Sequence, residues 1–422
     1  MPEFLTLLPP DEARDRLLSH LSTPEPASET IEVASALGRV CAEDIRAPHP
    51  LPAFPRSSVD GYAVRARDTY GASESLPAYL ILAGEVPMGA APPFALQPGQ
   101  AMLIHTGGML PENADAVVML EYTQQTQPAE GFAAEIEILR AVAEGENVLL
   151  VGEDVAQGQV VQAAGSRMRP AEMGGLMALG ITSLRVVKKV RVGLLSSGDE
   201  VVPPSVEPGP GQVRDINSYT LAALVEQVGG QPVLYGIVGD SFAALQAAAA
   251  RALAECDLLV ITAGSSASTR DMTAEVIDTL GAPGVLVHGV NTRPGKPTIL
   301  GVCGGKAVIG LPGNPVSALV NGYLFVVPVI EKLLGVLPRP RPAVQARLTV
   351  NLPSQAGRED WWPVRLEPLP TAGQGDGLAW LAHPIFGKSN LIFTLAAADG
   401  LLRIPPDATG LSAGERVEVV LL

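Results

Sequence analysis

The sequence predicts a multidomain α/β plus β protein. It should have an N-terminal region carrying a β-rich insert, a central doubly wound α/β domain, and a small C-terminal β domain. Three observations predict this. The chain has 422 residues, more than one ordinary core accommodates. Over about 50–142, short alternating runs ("AYLILAGEV", "GQAMLIHTGG", "ADAVVMLEYT", "AAEIEILRAV") are separated by turn residues, the pattern of a small barrel or sandwich. From 187, strand-like and helix-like runs alternate, the pattern of a parallel sheet covered on both faces. The boundaries follow as 1–186, 187–337 and 338–422.

In chain order, residues 11–22 read as a short amphipathic helix with Ala13, Leu17, Leu18 and Leu21 on one side. Residues 28–45 start strand-like, and the β insert follows. Pro170 suits the first turn of a helix over "AEMGGLMALG". "KKVRVGLLSSG" reads as a buried strand and "SYTLAALVEQVGG" as a helix capped by Asn217 or Ser218. "PVLYGIV", "SFAALQAAAARALAEC", "DLLVITAG" and "RDMTAEVIDTLG" then alternate strand and helix, with Asp271 placed to cap the last. "GVLVHGV", "PTILGV" and "KAVIGLPG" are strands. The last leads through "GLPGNP" into a helix that runs to Leu334, stops at Gly335 and should kink at Pro328. "LPRPRPAV" is a stiff linker to the strand-rich remainder.

A net charge of −15 argues against a general nucleic-acid or anionic-membrane binder, while leaving room for a local basic pocket. Cys41, Cys256 and Cys303 lie far apart without a CxxC pair, which argues against a zinc site or a disulfide framework and suits a reduced compartment. The first residues lack a basic stretch followed by an apolar one, and no run of about 18 uncharged apolar residues occurs. A cytoplasmic protein without membrane or nucleic-acid partners is expected.

In an open parallel sheet, ligands sit beyond the carboxyl ends of the strands. Those ends bring Asp199 and Glu200, Asp240, Asp271 after "SSAST", Arg293 and Lys296 in "RPGKP", and Pro312, Gly313, Asn314, Pro315 and Ser317 in "GLPGNPVS". One such Asp is usually a helix cap, and "SSAST" alone is as readily a plain loop. As a set, carboxylates for Mg²⁺ with cations and loop N–H groups for phosphate are what metal-assisted binding of a phosphorylated ligand requires. Asp60-Gly61 by itself is an ordinary tight turn. His105 alone reads as structural, and neither a Walker A sequence nor a nucleophilic triad spacing is present.

"SVDGYAV", "AGE" (83–85), "HTGGMLPENADAVV", "GENVLLVGED", "GDE", "RPGKP" and "GLPGNPVSA" occur in one order across residues 30–335. In this the sequence resembles the molybdopterin molybdenumtransferases, meaning bacterial MoeA and the E domain of gephyrin. "AGREDWWPVRL" and "FGKSNLI" extend the likeness more weakly into the C-terminal region. The resemblance implies an L-shaped homodimer with an elongated N-terminal region and a central molybdopterin-binding domain. It also implies an Mg²⁺-assisted reaction, in which adenylylated molybdopterin loses AMP and molybdate enters the dithiolene. Molybdopterin adenylyltransferase and apo-molybdoenzymes are the implied partners.

By the same resemblance, Asp271, Glu200, Asp240 and Asp60 are the catalytic acids, with Asp271 and Glu200 as the metal pair. Asp60, Thr106 and Asp154 meet the partner subunit's central domain. Ser266 belongs to the phosphate loop, and Arg293 and Lys296 bind anions. Pro312, Gly313, Asn314 and Pro315 shape a rigid corner that offers N–H groups to the ligand, and Arg358 and Ser389 bind molybdate. Three departures from the family pattern stand out. "AGSSASTRD" has Ala263 and Ser268 where glycines are usual, Gly289 stands where a lysine is common, and "TGG" replaces "TGA" at 106–108. These departures favour an alternative, a catalytically weakened molybdopterin carrier or scaffold of the same fold.

Overall fold

The structure is a computed structural model that describes residues 7–22, 25–126, 133–263, 267–369 and 378–422, with the backbone alone over 267–271. Strand Ser28–Glu32 pairs antiparallel with Ser183–Val187, so the two ends of the N-terminal region close on each other. Between them lies the β insert. Its six-stranded sheet runs Ala116–Met119, Gly61–Val64, Gln100–Ile104, Ala78–Glu85, Glu135–Ile138, Thr123–Gln125. Alternation along each strand feeds two cores. Tyr62, Val64 and Val118 enter one, and Ala63, Met102 and Val117 the other. Gly61 is obligatory, because a Cβ there would collide with the Val118 carbonyl.

Helix Pro10–Ser19 forms as its periodicity predicts. Its Ala13 and Leu17, with Leu21 beyond, are buried in the core of the central domain, beside Val287, Val290 and Leu300. Helix Pro170–Ala178 begins with Pro170, and the Arg169 N–H donates to the Glu172 carboxylate at 3.1 Å.

The central sheet runs Gln231–Val238, Arg191–Ser197, Leu258–Ala263, Lys306–Pro312, Ile299–Cys303, Pro283–His288. The first four strands are parallel, as predicted. The last two pairings are antiparallel, so the sheet is mixed. For the pairing of Ile299–Cys303 with Lys306–Pro312 the reason is local. Strands Ile299–Cys303 and Lys306–Pro312 are joined by Gly304-Gly305, both at positive φ, and a two-residue turn can only reverse the chain. Helix Asn217–Gln227 covers one face, where Leu221 and Leu224 meet Leu194, Val260 and Ile309. Helices Phe242–Glu255 and Ala267–Thr279 cover the other, where Leu245 and Ile277 meet Leu195, Ile261 and Val308.

Two caps differ from expectation. Helix Asn217–Gln227 is capped by Asp215, whose Oδ1 accepts the Ser218 N–H at 3.1 Å. Asp271 is the fifth residue of helix Ala267–Thr279, which starts earlier than its apolar periodicity suggests, so Asp271 does not cap it.

The helix after "GLPGNP" spans Pro315–Leu333 and is long and apolar enough to cross a membrane, but 61% of it is buried inside this fold. Phe325, Val326 and Ile330 stand in the main core. The break expected at Pro328 takes the form of a π turn over Gly322–Val326, just ahead of the proline that lacks an N–H. In the C-terminal domain, strand Glu359–Pro368 pairs with both Trp380–Pro384 and Gly400–Ile404, which closes the sheet into a small barrel around Leu348, Val364, Leu402 and Val419.

Candidate functional site

The carboxyl ends of the parallel strands converge on one edge, where Ser197, Val238, Ala263 and Pro312 end their strands. Here the central domain meets the barrel. Thr292–Arg293, just before "PGKP", leaves the central sheet and pairs in parallel register with Glu359–Asp360 of the barrel. Between the two domains lies a cleft of about 630 Å³, lined among others by Arg293, Lys296, Pro312, Asn314, Ser317, Trp361, Trp362, Lys388 and Ser389. Among the described residues three cations line it and no carboxylate does, in a chain of net charge −15. A cavity of that sign selects anions.

Each side of the cleft is braced. Gly295, at φ +111°, packs so closely on the Asn321 side chain that no Cβ could be accommodated. Asn321 is fully buried and donates Nδ2 to the carbonyls of Pro294 at 3.0 Å and Ser317 at 2.7 Å, tying the "RPGKP" loop to the helix below. Asn314 donates Nδ2 to Ser389 Oγ at 3.1 Å, and Val316 N–H donates to the Ser389 carbonyl at 3.0 Å. Asn217 donates Nδ2 to the Gly313 carbonyl at 2.9 Å. The "GLPGNP" corner is therefore hydrogen-bonded to the central domain on one side and to the barrel on the other. It gives the cleft fewer N–H donors than expected, since Pro315 has none and that of Val316 is taken. Gly313 and Pro315 stand behind the wall, which Pro312 and Asn314 form.

Arg293, Lys296, Pro312, Asn314 and Ser389 are thus brought together. Arg358 is one step removed. Its guanidinium chelates fully buried Asp360 through Nε at 2.6 Å and Nη2 at 3.0 Å, and it does not line the cleft. Glu200 and Asp240 lie exposed at the same sheet edge outside the cleft. Ser197 donates to Asp240 Oδ1 at 3.1 Å, and Asp240 N–H donates to Asp199 Oδ1 at 3.0 Å. Behind them, Ser196 Oγ contacts Asp215, Ser218 and Thr262 in a buried polar knot. Ser266 and the Asp271 side chain lie outside the described residues. Among the described residues no three His, Cys, Asp or Glu side chains converge to hold a metal.

The N-terminal candidates form separate groups. Asp60 Oδ1 accepts the Thr106 N–H at 2.7 Å and its hydroxyl at 3.0 Å, and these bonds hold the carboxyl below the usual carboxylate range. His105 Nε2 lies 3.2 Å from Glu85. Asp154 borders a groove with Gln162 and Glu172. None of the three expected residues lines the cleft of its own chain.

The sequence reasoning missed Lys388, Trp361, Trp362 and Asp360. "FGKSNLI" and "AGREDWWPVRL" were the available signals, but neither shows that the barrel folds back over the central domain.

Known proteins agree with this architecture. Residues 8–180 match the model of the MoeA N-terminal region (domain I and II), 193–332 that of a probable molybdopterin binding domain, and 345–422 that of the MoeA C-terminal region (domain IV). A putative molybdopterin biosynthesis protein of Methanocaldococcus jannaschii is 36% identical over 93% of this chain and 92% of its own. A molybdopterin molybdenumtransferase of Bacillus subtilis is 33% identical over 100% of this chain and 96% of its own. The crystal structure of a molybdopterin biosynthesis MoeA protein from Pyrococcus horikoshii superposes with a TM-score of 0.83 at 33% identity, covering 99% of this chain and 100% of that one. Three matched regions in order, full-length likeness and a shared fold place the chain in the MoeA family of molybdopterin molybdenumtransferases.

Proposed function

We propose that the protein is a molybdopterin molybdenumtransferase of molybdenum cofactor biosynthesis, which inserts molybdate into adenylylated molybdopterin and releases AMP. The observation that carries this reading is the cleft lined by Arg293, Lys296 and Lys388, with no carboxylate among the described residues that line it. Molybdate is a compact oxyanion, and a guanidinium fork, two ammonium groups and the Ser317 and Ser389 hydroxyls supply donors of the right kind. Because Asn321, Asn314 and the prolines hold these donors in place, little ordering entropy is lost on binding.

Glu200 and Asp240 act at the adjoining strand ends, where the nucleotide phosphates sit, and the resemblance assigns Asp271 to the same task. The Glu200 carboxylate accepts no hydrogen bond among the described residues, and its hard oxygen donors suit Mg²⁺. Glu200 with Asp271 would hold the ion, which supplies charge neutralisation at the phosphates. The residues of the chain then orient the oxyanion and keep it beside the ligand. Asp60, Thr106 and Asp154 lie off the cleft of their own chain, which supports their serving the site of a partner subunit in a homodimer.

Reconstitution tests the reading. Purified protein, adenylylated molybdopterin, Mg²⁺ and molybdate should give molybdate-dependent AMP release and activate a molybdenum-free apo-enzyme. Tight ligand binding without turnover would establish the carrier instead, and no binding would sink both. In mixed subunits, an Asp60→Ala chain and a Glu200→Ala chain, each inactive alone, should restore part of the activity if sites are shared.

A further inference from the structure

We propose that Trp362 is a positioning residue for oxyanion binding: its ring holds the Arg293 guanidinium by a cation–π contact that takes up no hydrogen bond to an acceptor and so leaves N–H donors for the ligand. This rests on the cleft being the oxyanion site. The register puts Arg293 opposite Asp360, so the arginine extends over the barrel strand that carries Trp362. The Arg293 guanidinium carbon lies 5.4 Å from the centroid of the Trp362 ring. Phe386 meets the same ring edge-on, with centroids 5.5 Å apart at 70°, which fixes its plane.

The only carboxylate paired with Arg293 among the described residues is Asp360, at 3.9 Å, too far for a hydrogen bond. Asp360 already gives both oxygens to Arg358, so its charge is matched there. Among the described residues, therefore, no carboxylate takes a hydrogen bond from Arg293. Its five N–H donors form a fork, and a cation–π contact with one ring does not use them all, so the aromatic grip and a bound oxyanion do not compete. A lysine would be held less well, because its charge is a point on a flexible stem and lacks the planar fork.

The test is a double-mutant cycle on molybdate affinity, measured by titration calorimetry with molybdate alone as probe. Trp362→Leu should bind roughly fivefold more weakly, in the range of a cation–π contact. Trp362→Phe should restore most of the loss. In an Arg293→Ala background, Trp362→Leu should change the affinity less than twofold. An equal loss in both backgrounds, or no loss in the single variant, overturns the positioning role. If Trp362→Leu fails to fold, Arg293→Lys leaves the aromatic core intact and should bind at least threefold more weakly; wild-type affinity there overturns the role. An Arg293→Ala protein that binds molybdate as the wild type does overturns the cleft assignment itself, a result distinct from the others.

Discussion

Asn314 and Ser389 meet across the boundary of two domains, with Asn314 Nδ2 donating to Ser389 Oγ at 3.1 Å while the Ser389 carbonyl accepts the Val316 N–H. Helix N-caps usually turn their side chain inward to the first turn. This one turns outward, and the barrel backbone takes over part of the capping. Ser389→Ala should raise the KM for molybdate about fivefold, the size of one hydrogen bond, with a small change in Tm. The double variant with Asn314→Ala should be little worse than either single one in steady-state kinetics; additive losses would show that the two residues act apart.

Gly295→Ala should cost about 2–4 kcal/mol, because the added methyl meets the Asn321 amide and φ is +111°. Combining it with Asn321→Ala should recover part of the loss in denaturant unfolding. A purely additive result would place the strain in the backbone alone.

Asp215→Ala should destabilise the fold by about 2 kcal/mol, by removing both the cap on Ser218 and one partner of buried Ser196. Asp215→Asn should restore the cap in part, and thermal unfolding reads both. A loss under about 0.5 kcal/mol would mean that the knot is not sensitive to this carboxylate.

Burial pushes the thiols of Cys41 and Cys303 up from 9.0 to about 11. The folded state thus keeps protons that the unfolded chain gives up. Their contribution is complete below pH 9 and is lost as pH rises from about 9 to 11. Cys41→Ser with Cys303→Ser should flatten the decline of Tm over that window, whereas an unchanged slope would assign it to other groups.

The hydroxyl and N–H of Thr106 hold Asp60 ionised below its ordinary range. Thr106→Val keeps the N–H bond and removes the hydroxyl, so the Asp60 pKa should move part of the way up in an NMR titration. No movement would leave the backbone bond as the whole cause.

Period-two and helical patterns were legible because each element buries one face, and so the insert, the parallel core and helix Pro10–Ser19 appear where predicted. The antiparallel end of the central sheet was not, although Gly304-Gly305 encodes it, because a short apolar strand looks the same in either direction. In the site, Arg293, Lys296, Asn314 and Ser389 were legible as motif residues. Arg358 was legible as a motif residue too, but its chelation of fully buried Asp360 was not, because nothing in "RED" tells a buried carboxylate from an exposed one. Lys388 and Trp362 became visible only once the barrel was seen against the central domain, a contact between residues far apart in sequence.

The pairing of Thr292–Arg293 with Glu359–Asp360 makes the barrel part of the central domain's own loop. In a chimaera that exchanged residues 343–422 for those of a relative, the graft would carry the orientation of Arg293 with it. Under the proposed function, preference among oxyanions would then travel with a segment outside the central sheet, so that choice of oxyanion and handling of the rest of the ligand could diverge independently within one lineage.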